Sequence, residues 1–222
     1  MLTHSFSHIG NRYWWISPLH YKGFTPNSPS AMLGALDSLL VVGRLGLDPW
    51  DVLQQGLARH SGIRIGTWAI LVGIAVLVLW VPLRQRPGLG TLSNVVVIGS
   101  VMDLTLAVMP APAALWLRVL ATTGGIALNG IATGCYIGAG LGPGPRDGLM
   151  VGLAARGHSL RMVRTGIEAV VVGVGWALGG NVGVGTLAYA ASLGPLAHLF
   201  IPLFTLHEGQ GGREGERGTA RG

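Results

Sequence analysis

Six charged residues lie within or beside long apolar runs of this chain: Asp51, Asp103, Arg146, Asp147, Arg164 and Glu168. They are the candidates for a substrate or ion pathway. A charged side chain facing lipid at mid-membrane costs about 2.5–3.5 kcal/mol or more, so such groups are kept where they face a bundle interior, a partner charge or a water-filled route. The chemistry they offer is the binding or relay of an ion or proton. Arg164 and Glu168 are four apart, on one helical face, and can pair. Asp37 and Arg44 are seven apart and can pair less directly. Asp103 has no partner in local reach, and its counterpart in the repeat described below is His198. The competing reading is structural: an interfacial Arg164–Glu168 salt bridge, with Asp103 near a membrane edge. Both readings stay open on sequence alone.

Other chemistries lack their residues. His158, His198 and His207 do not have zinc-ligand spacing, and a single cysteine, Cys135, excludes an intrachain disulfide and a thiol-only metal cage. No Ser-His-Asp, Cys-His or paired-carboxylate arrangement is recognisable. No catalytic residue, metal site or cofactor is therefore expected, and the chain is not read as an enzyme. Asn94, Asn129 and Tyr136, within apolar runs, are read as interhelical hydrogen-bonding groups.

The elements that must hold these charges are helices in a bilayer. Half of the 222 residues are hydrophobic and only 11% are charged, with a mean hydropathy of +0.53; a soluble domain carries about a quarter charged residues. A bilayer core needs about 20 apolar residues as a helix. Residues 66–83, 91–109, 115–141, 164–180 and 182–204 meet that need, and residues 31–47 form a weaker sixth run containing Asp37 and Arg44. The fold class expected is an all-α membrane protein of about six transmembrane helices. Residues 1–30 are polar and do not read as a signal peptide, although Trp14 and Trp15 suit a membrane interface. Residues 207–222 are rich in Gly, Glu and Arg and are expected to be disordered. The net charge of +6 comes mainly from arginines at the ends of apolar runs. There is no basic stripe with interleaved aromatics, so nucleic-acid binding is not expected.

The chain also repeats itself. Gly46-Leu47-Asp48-Pro49-Trp50-Asp51 with Gly56-Leu57 recurs 96 positions on as Gly142-Pro143-Gly144-Pro145-Arg146-Asp147 with Gly152-Leu153. Gly88-Leu89-Gly90-Thr91-Leu92 recurs 95 positions on as Gly183-Val184-Gly185-Thr186-Leu187. Two halves follow, 31–109 and 110–206. Three spans per half would invert the second relative to the first. Arg84, Arg86, Arg146, Arg156 and Arg161 then fall in cytoplasmic loops, giving N-in and C-in, while Arg59 and Arg64 of the outer loop 48–65 are expected to be balanced by Asp48 and Asp51. Asp48 or Gly144 as cap, proline in the first turn and an acid after it spell a helix start. Each phrase is read as a short amphipathic or re-entrant helix, serving either as a capping turn between spans or as the wall of a solute route. Gly130, Gly134, Gly138 and Gly142 form a close-packing stripe, between the halves or between subunits of a homodimer.

The runs Leu47-Asp48-Pro49-Trp50-Asp51-Val52, Arg84-Gln85-Arg86-Pro87-Gly88-Leu89-Gly90-Thr91, Leu141-Gly142-Pro143-Gly144-Pro145-Arg146-Asp147-Gly148-Leu149-Met150 and Arg164-Thr165-Gly166-Ile167-Glu168 together resemble the YczE/YitT-like family of bacterial integral membrane proteins. The resemblance spans about residues 31–204 and departs in the polar first 30. It implies a multi-pass protein of the bacterial plasma membrane and carries no settled activity. The function expected from the repeat and the buried charges is a small transporter or permease for an unidentified small solute or ion. The alternative is a membrane scaffold or regulatory protein that binds a partner.

Overall fold

A computed structural model describes residues 28–85, 87–138, 144–192 and 196, and all regular structure among them is helical. The helices are α1 (Ser28–Gly43), α2 (Pro49–Ser61), α3 (Ile65–Trp80), α4 (Leu89–Val108), α5 (Leu115–Gly138), α6 (Pro145–Ala154) and α7 (Leu160–Ala177). A further helix, α8, covers 184–192. Each apolar run identified in the sequence overlaps one of these helices, and each repeated phrase opens one, the first pair opening the short helices α2 and α6. The starts of α2, α3 and α4 recur 95 or 96 positions later as the starts of α6, α7 and α8.

By length and composition, two of the described helices can cross a membrane: Gly90–Val108 and Leu115–Thr133. The pair α2 and α3, bent by 116°, raises the number to three if it counts as one span. Two other expected spans are helical but shorter or more charged, and that at 182–204 lies partly outside the described residues. α1 has 16 residues, and α7 carries Arg161, Arg164 and Glu168. The outer surface is apolar and the interior, besides its apolar core, encloses charged and polar groups: Leu104, Val108, Trp116, Val170 and Trp176 are exposed, whereas Asp37, Asp48, Asp51 and Gln54 are buried. Water would penalise that distribution and lipid favours it.

Cross-helix contacts fix helix directions. On α1, Asp37 meets Asn129 of α5, Leu40 meets Gly125 and Gly43 meets Thr122. Residue numbers rise on one helix as they fall on the other, so α1 and α5 are antiparallel. α1 and α4 are parallel, because Gly34 meets Ile98 and Ser38 reaches the Met102 carbonyl. α3 runs against α4, with Gly66 on Gly99 and Gly73 on Val95. A Cβ at Gly66 or Gly99 would strike the other's backbone carbonyl; in lipid, such close backbone approach is a main source of helix association.

The short helices pack across the halves. α2 lies on α7 and α6 lies on α3. Leu53, Leu149 and Leu153 join Trp50, Val76, Trp80, Met150 and Val171 in one apolar cluster. The two crossings exchange bulk. On one, Val52 and Leu53 of α2 press on Gly175; on the other, the Trp80 indole fills the space a side chain at Gly148 of α6 would need. Arg59 at the end of α2 donates to the Gly179 carbonyl, and Arg156 after α6 donates to the Pro82 carbonyl at 2.7 Å. Each arginine thus holds the carbonyl end of the other half's helix.

Of the glycine stripe, Gly130 faces Leu196. Gly134 and Gly138 lie on α5, but their surroundings, like Gly142, His198, the N-terminal segment and the tail, lie outside the described residues.

Candidate functional site

The local sequence makes α2 begin in the protein interior. Asp48 is the N-cap, its Oδ1 accepting from the Asp51 amide at 2.5 Å, and Pro49 occupies the first turn. Such a cap satisfies one of the free amides that every helix start exposes. α6 begins with Gly144 as cap and Pro145 in the first turn. The linker before α2 is tied to the second half: the Leu47 amide donates to Thr186 Oγ1 at 3.1 Å, and the Gly185 amide to the Leu45 carbonyl at 2.8 Å.

The two helix starts face each other. Arg146, in the first turn of α6, donates to Asp48 Oδ2 at 2.7 Å and lies 3.6 Å from Asp51 Oδ1. Its guanidinium also sits over the Trp50 ring, 5.5 Å from the centroid, within cation–π range. Gln54, with its amide turned to satisfy both neighbours, donates to Asp51 Oδ1 at 2.9 Å and accepts from Arg146 at 3.2 Å. Asp48 and Asp51 are almost wholly buried and Arg146 is 30% exposed. The guanidinium compensates charges that would otherwise carry a large burial cost.

Asp37 joins them from α1. Its Oδ1 accepts from Asn129 Nδ2 at 2.7 Å, and Asn129 Oδ1 in turn accepts from the Tyr189 hydroxyl at 3.3 Å. Carboxylate oxygens of Asp37, Asp48 and Asp51 lie within 4.8 Å of one another. A cavity of about 150 Å³ opens beside them. Its polar wall includes Asp37, Asp48, Gln54, Asn94, Asn129, Arg146, Asp147 and Tyr189, with Trp50 and Val76 among its apolar members; Arg164 and Glu168 also line it. Asn94 and Tyr189 are repeat counterparts, 95 positions apart, so both halves contribute equivalent positions.

The structure therefore brings Arg146, Asp147, Arg164 and Glu168 to one cavity and sets Asp51 against Arg146 behind it. Arg164 and Glu168 pair at 2.9 Å, as their spacing implies. Asp103 is elsewhere. Its carboxylate accepts from the Gly66 amide at 2.8 Å and from Thr67 Oγ1 at 3.0 Å, so it caps α3 from the neighbouring helix. Asp37 bonds Asn129 rather than Arg44, which is exposed at the end of α1. Asp48 and Asp51 do not balance Arg59 and Arg64, because both are buried against Arg146. Sequence reasoning passed over Asp37, Asp48, Gln54, Asn129 and Tyr189 as site residues. The signals available were the place of Asp48 in the repeated phrase, the polar Asp37 and Asn129 within apolar runs, the latter bonded between helices as expected, and the repeat offset joining Asn94 to Tyr189.

Residues 33–202 match a family described as a family of unknown function, DUF6198. This chain belongs to that family. It is 42% identical over 172 residues to an uncharacterized protein of Haemophilus influenzae, covering 77% of this chain and 79% of that one. It is 34% identical over 169 residues to the uncharacterized membrane protein YczE of Bacillus subtilis, covering 74% and 78%. It is 29% identical over 177 residues to the uncharacterized protein YyaS of the same organism, covering 77% and 87%. No solved structure matches it. Kinship to YczE agrees with the resemblance carried by the sequence motifs, and with the apolar helices it marks this DUF6198 chain as a membrane protein. Every residue lining the cavity falls inside the matched span.

Proposed function

We propose that this chain is a plasma-membrane permease of two inverted three-span halves, with its solute or ion site in the cavity where α2 and α6 meet. One observation carries the reading: the starts of two short helices, one from each half, are joined by Arg146–Asp48 beside a polar cavity that both halves line. Interrupted helices that end near mid-membrane at the interface of two repeats are the arrangement by which many transporters hold a solute. Irregular backbone at that depth is tolerated where it is covered by protein or lines a cavity.

Inversion has its own support. α1 and α5 are repeat counterparts and run antiparallel along the contacts from Asp37–Asn129 to Gly43–Thr122. The two short helices then start near mid-membrane, where their first turns meet, and run outward toward opposite faces. Arg84, Arg156 and Arg161 cluster at one end with the α3–α6 crossing, and we assign that end to the cytoplasm.

Uptake into proteoliposomes from panels of small solutes and ions tests the permease directly. The reading expects accumulation of at least one class, lost in Asp51→Asn, Asp147→Asn or Glu168→Gln. Unchanged transport and cellular phenotype in all three variants would overturn it. A stoichiometric crosslinked protein partner, with no solute-dependent stabilisation, would instead favour a scaffold.

A further inference from the structure

We propose that Asp37, Asp48 and Asp51 form a binding site for a divalent cation of the hard, oxygen-preferring kind. This deepens the permease reading of the same cavity by naming the class of solute or coupling ion. Three observations converge on it.

The first is geometric. The three carboxylate oxygens lie within 4.8 Å of one another. Oxygen ligands sit about 2.3–2.6 Å from Ca²⁺, so opposite members of its shell are about 4.6–5.2 Å apart; Mg²⁺, at about 2.0–2.1 Å, needs a tighter set. The three oxygens are thus close enough for one ion of this hard class to reach all of them.

The second is charge. Three carboxylates face one guanidinium, Arg146. Asn129, Gln54 and Tyr189 complete the immediate surroundings and are formally neutral. The three carboxylates exceed the guanidinium by two negative charges, and Asp147 in the wall of the same cavity adds to that excess, which a divalent ion offsets. The nearby Arg164 is already paired with Glu168. All available donors are oxygens, which suit calcium, magnesium or manganese rather than thiophilic metals.

The third observation is independent of the acids. Asn94 is only 4% exposed and lines the same cavity, yet its Oδ1 has no hydrogen-bond partner among the described residues. Asp51 Oδ2 is likewise buried and unpartnered. A buried amide oxygen without a partner bears its full desolvation penalty, and a hydrated cation in the cavity satisfies it. Ca²⁺ accepts amide oxygens and water alongside carboxylates.

The test uses the full chain purified in detergent, freed of divalent ions with EDTA and dialysed. Thermal unfolding is followed with CaCl₂, MgCl₂ or MnCl₂ against NaCl at matched ionic strength. The expected result is a saturable rise in Tm with at least one divalent ion and none with NaCl. Asp37→Asn, which keeps its size and its bond to Asn129, abolishes the rise, and Asn94→Ala weakens the midpoint by about 10–100-fold. Overturning results are equal responses to divalent and sodium salts, or an undiminished divalent response in a folded Asp37→Asn. Should Asp37→Asn not fold, the Asn94→Ala midpoint decides, an unshifted value overturning the proposal. A divalent response without transport would sink the permease and keep the ion site. Transport of another solute without that response would do the reverse.

Discussion

The guanidinium of Arg146 lies 5.5 Å from the centroid of the Trp50 ring, and these two residues hold the same position in the two halves, 96 apart. The two recurring phrases are thus complementary rather than identical at this position. One half contributes an aromatic face and two carboxylates, Asp48 and Asp51; the other contributes the cation they hold.

Removing that cation leaves buried carboxylates uncompensated. Arg146→Ala is expected to destabilise the protein by about 3–5 kcal/mol, the usual cost of breaking a buried pair from one side. Its 30% exposure places the value towards the lower end. Arg146→Lys recovers part of the loss, because an ammonium cannot reproduce the planar contact with two acids and an indole. Denaturant unfolding in detergent measures both, and a loss under 1 kcal/mol in the alanine variant would contradict the assignment.

Trp80 is the anchor of the α3–α6 crossing. It is 1% exposed, its ring occupies the space beside Gly148, and its Nε1 donates to the Pro145 carbonyl at 3.1 Å. Trp80→Ala is expected to cost about 3–5 kcal/mol. Gly148→Leu overfills the same space and costs about 1–3 kcal/mol or more. Gly148→Leu combined with Trp80→Ala should cost less than the sum of the two, and additive losses in a double-mutant cycle would show that the two residues do not compete for one volume.

Asp103 separates structure from function. Because it caps α3 and does not line the cavity, Asp103→Ala is expected to cost about 0.5–2 kcal/mol of stability while leaving the divalent response intact. A variant that folds normally but loses ion binding would return Asp103 to the site.

How much of this was legible beforehand depends on the distance over which each signal acts. Helix starts at Pro49 and Pro145 are local events of capping and fixed φ, and the sequence locates both. The halves are legible because the phrases recur at a constant offset. Partners across helices are not. Asp37 was matched with Arg44 because only neighbours along one helix can be read from spacing, whereas its bond is to Asn129, brought near by the antiparallel passage of α5. Asp103 looked unpartnered for the same reason, its donors being the Gly66 amide and Thr67 on another helix. Asp48 combines a local role with a distant one: one oxygen caps α2, as its place before Pro49 implies, and the other receives Arg146 from the second half.

Inversion of the halves is the claim on which the permease account rests most heavily. In a Cys135→Ser background, His60→Cys at the far end of α2 and His158→Cys just beyond α6 place single thiols at exposed positions. Labelling of intact cells with a membrane-impermeant maleimide, followed by labelling after lysis, reports the side of each. The account predicts that position 60 reacts from outside and position 158 only after lysis, on opposite faces of the membrane. Reaction of both from the same face would contradict it.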